Sequence, residues 1–69
     1  MIKIKIKELL KEKDKSMYWL SKKTNISQNA IRRIVSGKTD SIKFRNIDAI
    51  CTALECRIEE IIEYIPDKY

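Results

Sequence analysis

The feature that most constrains the fold of this chain is the stretch SMYWLSKKTNISQNAIRRIVSGKT, which begins at Ser16. Ser16 is a residue type that caps helix N-termini, so a helix is predicted over residues 17–23. A tight turn is predicted at Thr24-Asn25-Ile26, where Asn25 is a typical turn residue. A second helix is predicted over residues 27–36, and Gly37 just after it supplies a stop.

The second of these helices divides into two faces at 3.6 residues per turn. Ile31, Ile34 and Val35 form an apolar face, with Ala30 at its margin. The opposite face carries only amide, guanidinium and hydroxyl groups, from Gln28, Asn29, Arg32, Arg33 and Ser36. In a DNA major groove, Arg binds guanine and Asn or Gln binds adenine. The polar face is therefore typical of a helix that reads base edges.

An ordinary amphipathic helix with a solvated polar face is the alternative interpretation. Such a face usually pairs Lys with Glu at four-residue spacing. The chain has no acidic residue between Lys15 and Lys38, although it has ten acids elsewhere. The composition of this stretch therefore favours nucleic-acid recognition.

The stretch resembles the helix-turn-helix of the Cro and phage-repressor family. The resemblance is carried by Leu20-Ser21, Asn25-Ile26-Ser27, Ile31 with Ile34, and Ser36-Gly37-Lys38-Thr39. Three positions depart from the family pattern: Ser21 replaces alanine, Asn25 replaces the turn glycine, and Met17 stands where glutamine often touches a phosphate. Asn tolerates the left-handed conformation that glycine adopts in such a turn. Residues 41–67 are similar to small bacterial regulators of the same family.

The whole chain of 69 residues is long enough for one domain with a small core. One Gly and one Pro argue against a turn-rich all-β fold. We predict a compact all-α domain of five helices, with further helices over residues 5–13, 43–54 and about 57–64. Helix 4 should turn Phe44, Ile47, Ile50, Cys51 and Leu54 inward. Helix 5 should be apolar at Ile58, Ile61, Ile62 and Ile65, and Pro66 should end it.

The N-terminus alternates Ile and Lys over residues 1–7. Period-two alternation of β-branched residues predicts a short, half-buried strand before the first helix. A strand needs a partner for its main-chain groups. Two partners fit the sequence, residues 64–66 of the same chain or the same strand of a second subunit.

The net charge of +5 is unevenly distributed. Residues 1–38 hold eleven Lys and Arg against three acids, whereas residues 39–69 hold four against seven. The basic half contains the predicted reading helix, as expected for a protein that binds a polyanion. The chain has no apolar run long enough for a membrane span and no signal peptide, so a cytoplasmic location is expected.

Catalytic and metal chemistry find little support in this sequence. There is no His, and two cysteines leave zinc two ligands short, unless a dimer shares the metal. Cys51 shares a helical stripe with Ile47 and Leu54, which predicts a small buried hydrophobe, and Cys56 should be partly exposed. No motif for nucleotide binding or nucleophilic catalysis occurs. We therefore expect no enzyme activity, no cofactor and no metal site.

The predicted function is sequence-specific binding of double-stranded DNA in transcriptional control, by repression or activation. Gln28, Asn29 and Arg33 are the expected base readers, with Arg32 a reader or a phosphate clamp. The expected phosphate contacts are Ser27, Ser36, Lys38, Thr39 and Lys43. The resemblance implies a homodimer, at least on DNA, because family members bind two half-sites about 34 Å apart.

Two other functions compete with this one. The chain could be an antitoxin or accessory module that binds a protein partner, with Tyr18 and Trp19 at the interface. Because Leu20 fixes the inward face of its helix, Trp19 should point largely outward, with partial burial as the alternative. RNA binding ranks lower, because it relies on aromatic stacking surfaces and the five aromatics here are scattered.

Overall fold

The computed structural model describes residues 1–67 and consists of five helices and a two-stranded antiparallel sheet. The elements are β1 (Ile2–Ile4), α1 (Ile6–Glu12), α2 (Met17–Thr24), α3 (Gln28–Ser36), α4 (Phe44–Leu54), α5 (Ile58–Ile61) and β2 (Ile62–Tyr64). The predicted five-helix fold with a short N-terminal strand is confirmed. None of the helices in the described part is long and apolar enough to cross a membrane.

The predicted caps of α2 and α3 are present. The Ser16 hydroxyl oxygen accepts from the Trp19 N–H at 3.0 Å, and the Ser27 hydroxyl oxygen accepts from the Ala30 N–H at 3.2 Å. Asn25 ends α2 with φ 62°, and Gly37 ends α3 with φ 73°. Both lie in the left-handed region, which Gly and Asn tolerate best. The turn between the two helices is therefore set by local sequence.

Two more helices end in the left-handed conformation at residues less suited to it. Asp14 follows α1 with φ 57°, and Glu55 follows α4 with φ 51°. In each case the next N–H reaches back five residues: Lys15 donates to the Leu10 carbonyl at 2.8 Å and Cys56 donates to the Cys51 carbonyl at 3.0 Å. These hydrogen bonds satisfy carbonyls at the helix ends. They do so at the cost of placing a Cβ in a crowded conformation.

Replacing Glu55 by glycine should therefore stabilise the domain. Glycine adopts the left-handed conformation without the steric cost that Glu55 incurs, but it also loses more conformational freedom on folding. The net gain in the free energy of unfolding should be about 0.5–1 kcal/mol. In a domain of this size each kcal/mol raises Tm by about 4–8 °C. Thermal unfolding followed by circular dichroism measures the change. Asn25→Gly is the matched control and should gain less, and a lower Tm for Glu55→Gly would contradict the argument.

The core is a single apolar cluster to which all five helices contribute. Among the described residues no polar or charged side chain is buried. The buried side chains are Ile6, Leu9, Leu10, Leu20, Ile31, Ile34, Ile47, Ile50, Leu54 and Ile61. α2 packs against both α3 and α4, and α1 packs against α5. This arrangement turns one face of α3 inward and leaves its opposite face in solvent.

The prediction that Phe44 turns inward is wrong. Phe44 is 88% exposed, although it stands three residues before the buried Ile47 on the same helix. It is the first residue of α4, and this first turn extends beyond the core. Ile42, in the loop before the helix, packs against the core instead. Cys51, predicted to be buried, is half-buried at the edge of the core.

The prediction that helix 5 continues to residue 64 is also wrong. α5 ends at Ile61, and Ile62 has extended φ and ψ angles. The chain continues as β2 because β1 offers main-chain hydrogen bonds that compete with further helix, and a four-residue helix gains little from elongation. Ile58, the first residue of α5, is exposed, Ile65 is half-buried, and Pro66 does not end the helix.

The N-terminal strand pairs within the chain with β2, which overlaps the predicted partner segment 64–66 at Tyr64. Ile2 lies opposite Tyr64, Lys3 opposite Glu63, and Ile4 opposite Ile62. The Lys5 ammonium lies 3.7 Å from the Glu63 carboxylate, and the Met1 amino group lies 3.5 Å from that of Asp67. The strand pair thus ties the beginning of the domain to its end.

Candidate nucleic-acid interface

The polar face of α3 lies in solvent as the sequence predicts. Ile31 and Ile34 are buried, and Ala30 and Val35 are half-buried at the sides of the helix. The five polar residues are all exposed, namely Gln28, Asn29, Arg32, Arg33 and Ser36. α3 therefore presents a continuous surface of hydrogen-bonding groups about 13 Å long at 1.5 Å per residue.

Two arginines on this face have different surroundings. The Arg32 guanidinium donates to the Asn29 side-chain oxygen at 3.3 Å, so these two side chains are partly ordered by each other. Within residues 1–67 the Arg33 guanidinium takes part in no hydrogen bond or ion pair. Its planar set of donors is available for bidentate contact with a base or a phosphate.

The hydroxyl groups proposed for phosphate contact differ in what they can donate. Ser36 donates to the Arg33 carbonyl at 2.9 Å, and Thr39 donates to the Ser41 carbonyl at 2.8 Å. Because phosphate oxygens accept hydrogen bonds, these two hydroxyls would first have to break a contact within the protein. The Ser27 oxygen accepts from the Ala30 N–H, which leaves the Ser27 hydroxyl proton free to donate.

The structure brings three of the predicted site residues to one place. Arg33, Thr39 and Lys43 line a recess of about 260 Å³ between α3 and the first turn of α4. Lys38 is exposed just past the end of α3 and does not line this recess. Two cationic side chains from different elements thus flank the same surface beside the polar face.

The N-termini of α2, α3 and α4 are electrostatically alike. α2, α3 and α4 have no acidic residue in the first turn, whereas α1 has Glu8 and α5 has Glu59 and Glu60. The N-terminal end of a helix carries a partial positive charge, which acidic residues would neutralise. Because no acidic residue neutralises this partial charge at α2, α3 and α4, these N-termini favour an anionic ligand.

A match to the Cro/C1-type HTH DNA-binding domain extends over residues 5–67. The chain belongs to this family. It is also 33% identical over 65 residues to YozG of Bacillus subtilis (strain 168), described as an uncharacterized HTH-type transcriptional regulator. That alignment covers 94% of this chain and 77% of the relative. The expected resemblance to Cro and repressor proteins is confirmed, and the fold is that of a DNA-binding domain of transcriptional regulators.

For two residues of this Cro/C1-type domain the interpretation of the sequence was incomplete or wrong: Arg45 was not assigned to the site, and Phe44 was assigned to the core. Phe44 and Arg45 are both exposed in the first turn of α4, directly after Lys43. Arg45 adds a second cation beside the recess-lining Lys43. The sequence does contain a signal for Arg45, since it is a basic residue in a helix first turn that carries no acid. The exposure of Phe44 gives no such signal, because its spacing fits the buried stripe.

The aromatic pair on α2 is split between core and surface. Trp19 is half-buried and packs against the core cluster, with the Lys15 ammonium 5.0 Å from its ring centre. Tyr18 is 54% exposed, with the Lys22 ammonium 5.3 Å from its ring centre. The expectation that Trp19 points largely outward is wrong, and partial burial, the alternative, holds. Only Tyr18 remains as an exposed aromatic on this helix.

Trp19 should show the fluorescence of a partly shielded indole. Because Trp19 is the only tryptophan in the chain, all tryptophan fluorescence comes from this residue. We expect iodide to quench it less in the native protein than in the urea-unfolded chain, because the core covers part of the ring. Saturating DNA should change this quenching little, since Trp19 packs inward. Quenching equal in native and unfolded protein would contradict the structure.

The two thiols of the domain lie at the end of α4 and are both half-buried. Burial, reinforced by the neighbouring Cys51, raises the pKa of the Cys56 thiol to about 11. The Cys56 thiol is therefore protonated at neutral pH. Only the thiolate form is a good nucleophile or metal ligand. The part of the chain described by the structure contains no cluster of three or more His, Cys, Asp or Glu residues suited to a metal.

Proposed function

We propose that this domain binds specific sequences of double-stranded DNA in transcriptional control, with α3 lying in the major groove. The observation that carries the proposal is the exposed face of α3, which consists only of amide, guanidinium and hydroxyl groups. A helix fits the width of the major groove, where each base pair presents a distinct pattern of donors and acceptors. The family match supports DNA binding, and the face of α3 supports sequence recognition.

The candidate residues divide into those that would contact base edges and those that would contact phosphates. Gln28, Asn29 and Arg33 would contact base edges, since the N-terminal part of a recognition helix usually does so. Arg32 would read a base or clamp a phosphate, depending on whether it keeps its bond to Asn29. Phosphates would be held mainly by Lys38, Lys43 and the N-terminal end of α3 at Ser27. Ser36 and Thr39 would contribute less, because their hydroxyl protons already have acceptors.

The active form on DNA would be a homodimer. A single recognition helix contacts only a few base pairs, whereas a symmetric dimer contacts two half-sites about 34 Å apart. The function requires no cofactor and no catalysis. A cytoplasmic location follows from the proposal, since bacterial DNA lies there.

Selection of bound duplexes from a random pool tests the proposal directly. We expect enrichment of an inverted repeat whose half-sites are separated by about one helical turn, centre to centre. Binding of the selected site should exceed that of scrambled DNA at every salt concentration, while both decline as salt rises. If no sequence is enriched, α3 is not a reading helix.

The exposure of Tyr18 keeps a second function under consideration. In an antitoxin or accessory module, Tyr18 would contact a partner protein, since exposed Tyr is common at interface hot spots. Affinity capture from the native host in the presence of nuclease separates the two functions. A partner that is captured by the native protein and lost with Tyr18→Ala would support this second function.

A further inference from the structure

A second and larger recess, of about 1000 Å³, lies between α4 on one side and α2 with the loop before it on the other. We call it the α2–α4 groove. Within the described part of the chain it has no lining residue from α3 and none in common with the recess beside Arg33. Its α4 side runs from Asp48 to Glu55, about 10 Å or two helical turns. DNA recognition by α3 therefore leaves this concave surface without a role.

The apolar part of the groove lining comes from both helices. Trp19 of α2 and Ala49 and Ala53 of α4 contribute to it, and all three side chains are half-buried. Ala49 and Ala53 are four residues apart, so they lie one turn apart on the same face of α4. Small side chains at this spacing leave a channel into which the side-chain ridge of another helix can pack. An occupant of the channel would also remove the exposed part of the indole from water.

The charged residues of the groove are divided by sign. Three cations lie on the α2 side, namely Lys13, Lys15 and Lys23, and two carboxylates lie on the α4 side, namely Asp48 and Glu55. Within residues 1–67 none of these five side chains takes part in an ion pair. The Lys15 ammonium lies 5.0 Å from the ring centre of Trp19 instead. The groove thus presents unpaired charges of opposite sign along its two sides.

The two hydroxyl groups of the lining are already occupied. Thr24 donates to the Leu20 carbonyl at 2.7 Å, and Thr52 donates to the Asp48 carbonyl at 2.8 Å. The charged groups are therefore the main polar groups that the groove offers to a ligand. DNA and small anions would be attracted by the lysines but repelled by the carboxylates. A polypeptide can satisfy both sides, because it can carry acidic and basic side chains on two edges of one face.

We propose that the α2–α4 groove binds a helix of a partner protein. Acidic side chains of that helix lie along the edge that faces Lys15 and Lys23, and basic side chains lie along the edge that faces Asp48 and Glu55. Its small or apolar side chains pack against Trp19 and the two alanines. The pattern of charge fixes the direction of the bound helix, and the apolar contact is that of a helix in a groove. Because two helical turns make a small interface, the complex should be transient, with a micromolar Kd.

The location of the groove allows the partner and DNA to be bound together, a consequence that rests on the proposed function. α2 packs against α3, yet α3 contributes nothing to the groove lining among the described residues. A helix in the groove therefore leaves the polar face of α3 free to enter a major groove. Tyr18 does not line the groove, so this surface differs from the one that Tyr18 would provide.

Selection from a displayed library of random helical peptides tests the proposal, with the full chain as bait. Peptides that also bind a variant combining Lys13→Ser, Lys15→Ser and Lys23→Ser are removed first. We expect enrichment of helices with acidic residues on one edge and basic residues on the other. A synthetic copy of an enriched peptide should protect Trp19 from iodide, because it covers the indole. A library that yields no enriched peptide, or peptides that leave Trp19 unprotected, would overturn the proposal.

Variants of the domain show whether an enriched peptide uses the groove. Lys15→Ser combined with Lys23→Ser should raise its Kd about tenfold or more, since two charge pairs at one interface are lost. Lys22→Ser is the matched control and should change the Kd less than twofold. Lys22 is on the same helix and its ammonium lies 5.3 Å from the Tyr18 ring centre, but it does not line the groove. An equal loss with Lys22→Ser would show attraction to the basic surface in general and would overturn the proposal.

Charge reversal tests the pairing of the two edges without relying on loss alone. Lys15→Glu combined with Lys23→Glu should abolish binding of the enriched peptide. A peptide whose acidic edge is changed to lysine should bind this variant and not the native protein. Failure of the reversed peptide to restore binding to a variant with a native circular dichroism spectrum would contradict the proposed orientation and overturn the proposal.

A DNA titration separates this inference from the proposed function. Saturating peptide should leave the affinity and base preference for the selected duplex within about twofold of their values without peptide, because α3 stays free. Competition between peptide and DNA would overturn the separate groove. If the peptide binds the groove but the domain prefers no DNA sequence, the proposed function fails and the groove stands. If a DNA sequence is preferred but no peptide binds, only the groove fails.

Discussion

Replacing Arg33 by alanine should weaken binding to the selected DNA site by about 1–3 kcal/mol and flatten the preference at one base-pair position. The Arg33 guanidinium is exposed on the face of α3 and is free of protein partners within residues 1–67, so it loses no internal contact on binding. The loss should be much smaller on scrambled DNA, where no base is matched to the guanidinium. Fluorescence anisotropy titrations on both duplexes measure the difference.

Lys38→Ala is the matched control for Arg33→Ala. Lys38 is a compact charge just past α3, which can meet a phosphate but cannot read a base in bidentate fashion. Its loss should weaken binding to selected and scrambled DNA alike. It should also lower the slope of log affinity against log salt by about 1 per subunit, because one fewer counterion is released. If Lys38→Ala changes base preference and Arg33→Ala weakens all sequences equally, the roles of the two residues are reversed.

The largest effect on stability should come from Leu20→Ala. Leu20 is fully buried on α2, the helix that packs against both α3 and α4. Truncating a buried leucine costs about 2–5 kcal/mol, and a domain of this length is stable by only about 3–10 kcal/mol. Urea unfolding followed by circular dichroism should show a loss of most of the native stability, or no folded protein.

Phe44→Ala provides the contrast to Leu20→Ala. The sequence pattern assigns both residues to the core, but Phe44 is 88% exposed. Its truncation should change the free energy of unfolding by no more than about 0.5 kcal/mol, as for an ordinary surface position. A loss comparable to that of Leu20→Ala would show that Phe44 is buried in the native protein.

Local sequence determined the helix-turn-helix unit of this protein. Ser16, Ser27, Asn25 and Gly37 act through their own main-chain geometry and through hydrogen bonds to residues at most four positions away. The two faces of α3 follow from helical periodicity and residue type alone. For this reason the bounds of α2 and α3 were predicted within a residue. The exposed set of candidate base readers was predicted as well, while their contacts with DNA stay a prediction.

Only the tertiary structure decided where the apolar side chains at the element ends would lie. Whether Phe44 is buried depends on how far the first turn of α4 extends past its neighbours, and Trp19 is half-buried because the core packs against it. The end of α5 depends on β1, a strand about sixty residues earlier that offers hydrogen bonds to Ile62–Tyr64. Periodicity describes one helix at a time, whereas burial and strand pairing depend on partners that are distant in sequence.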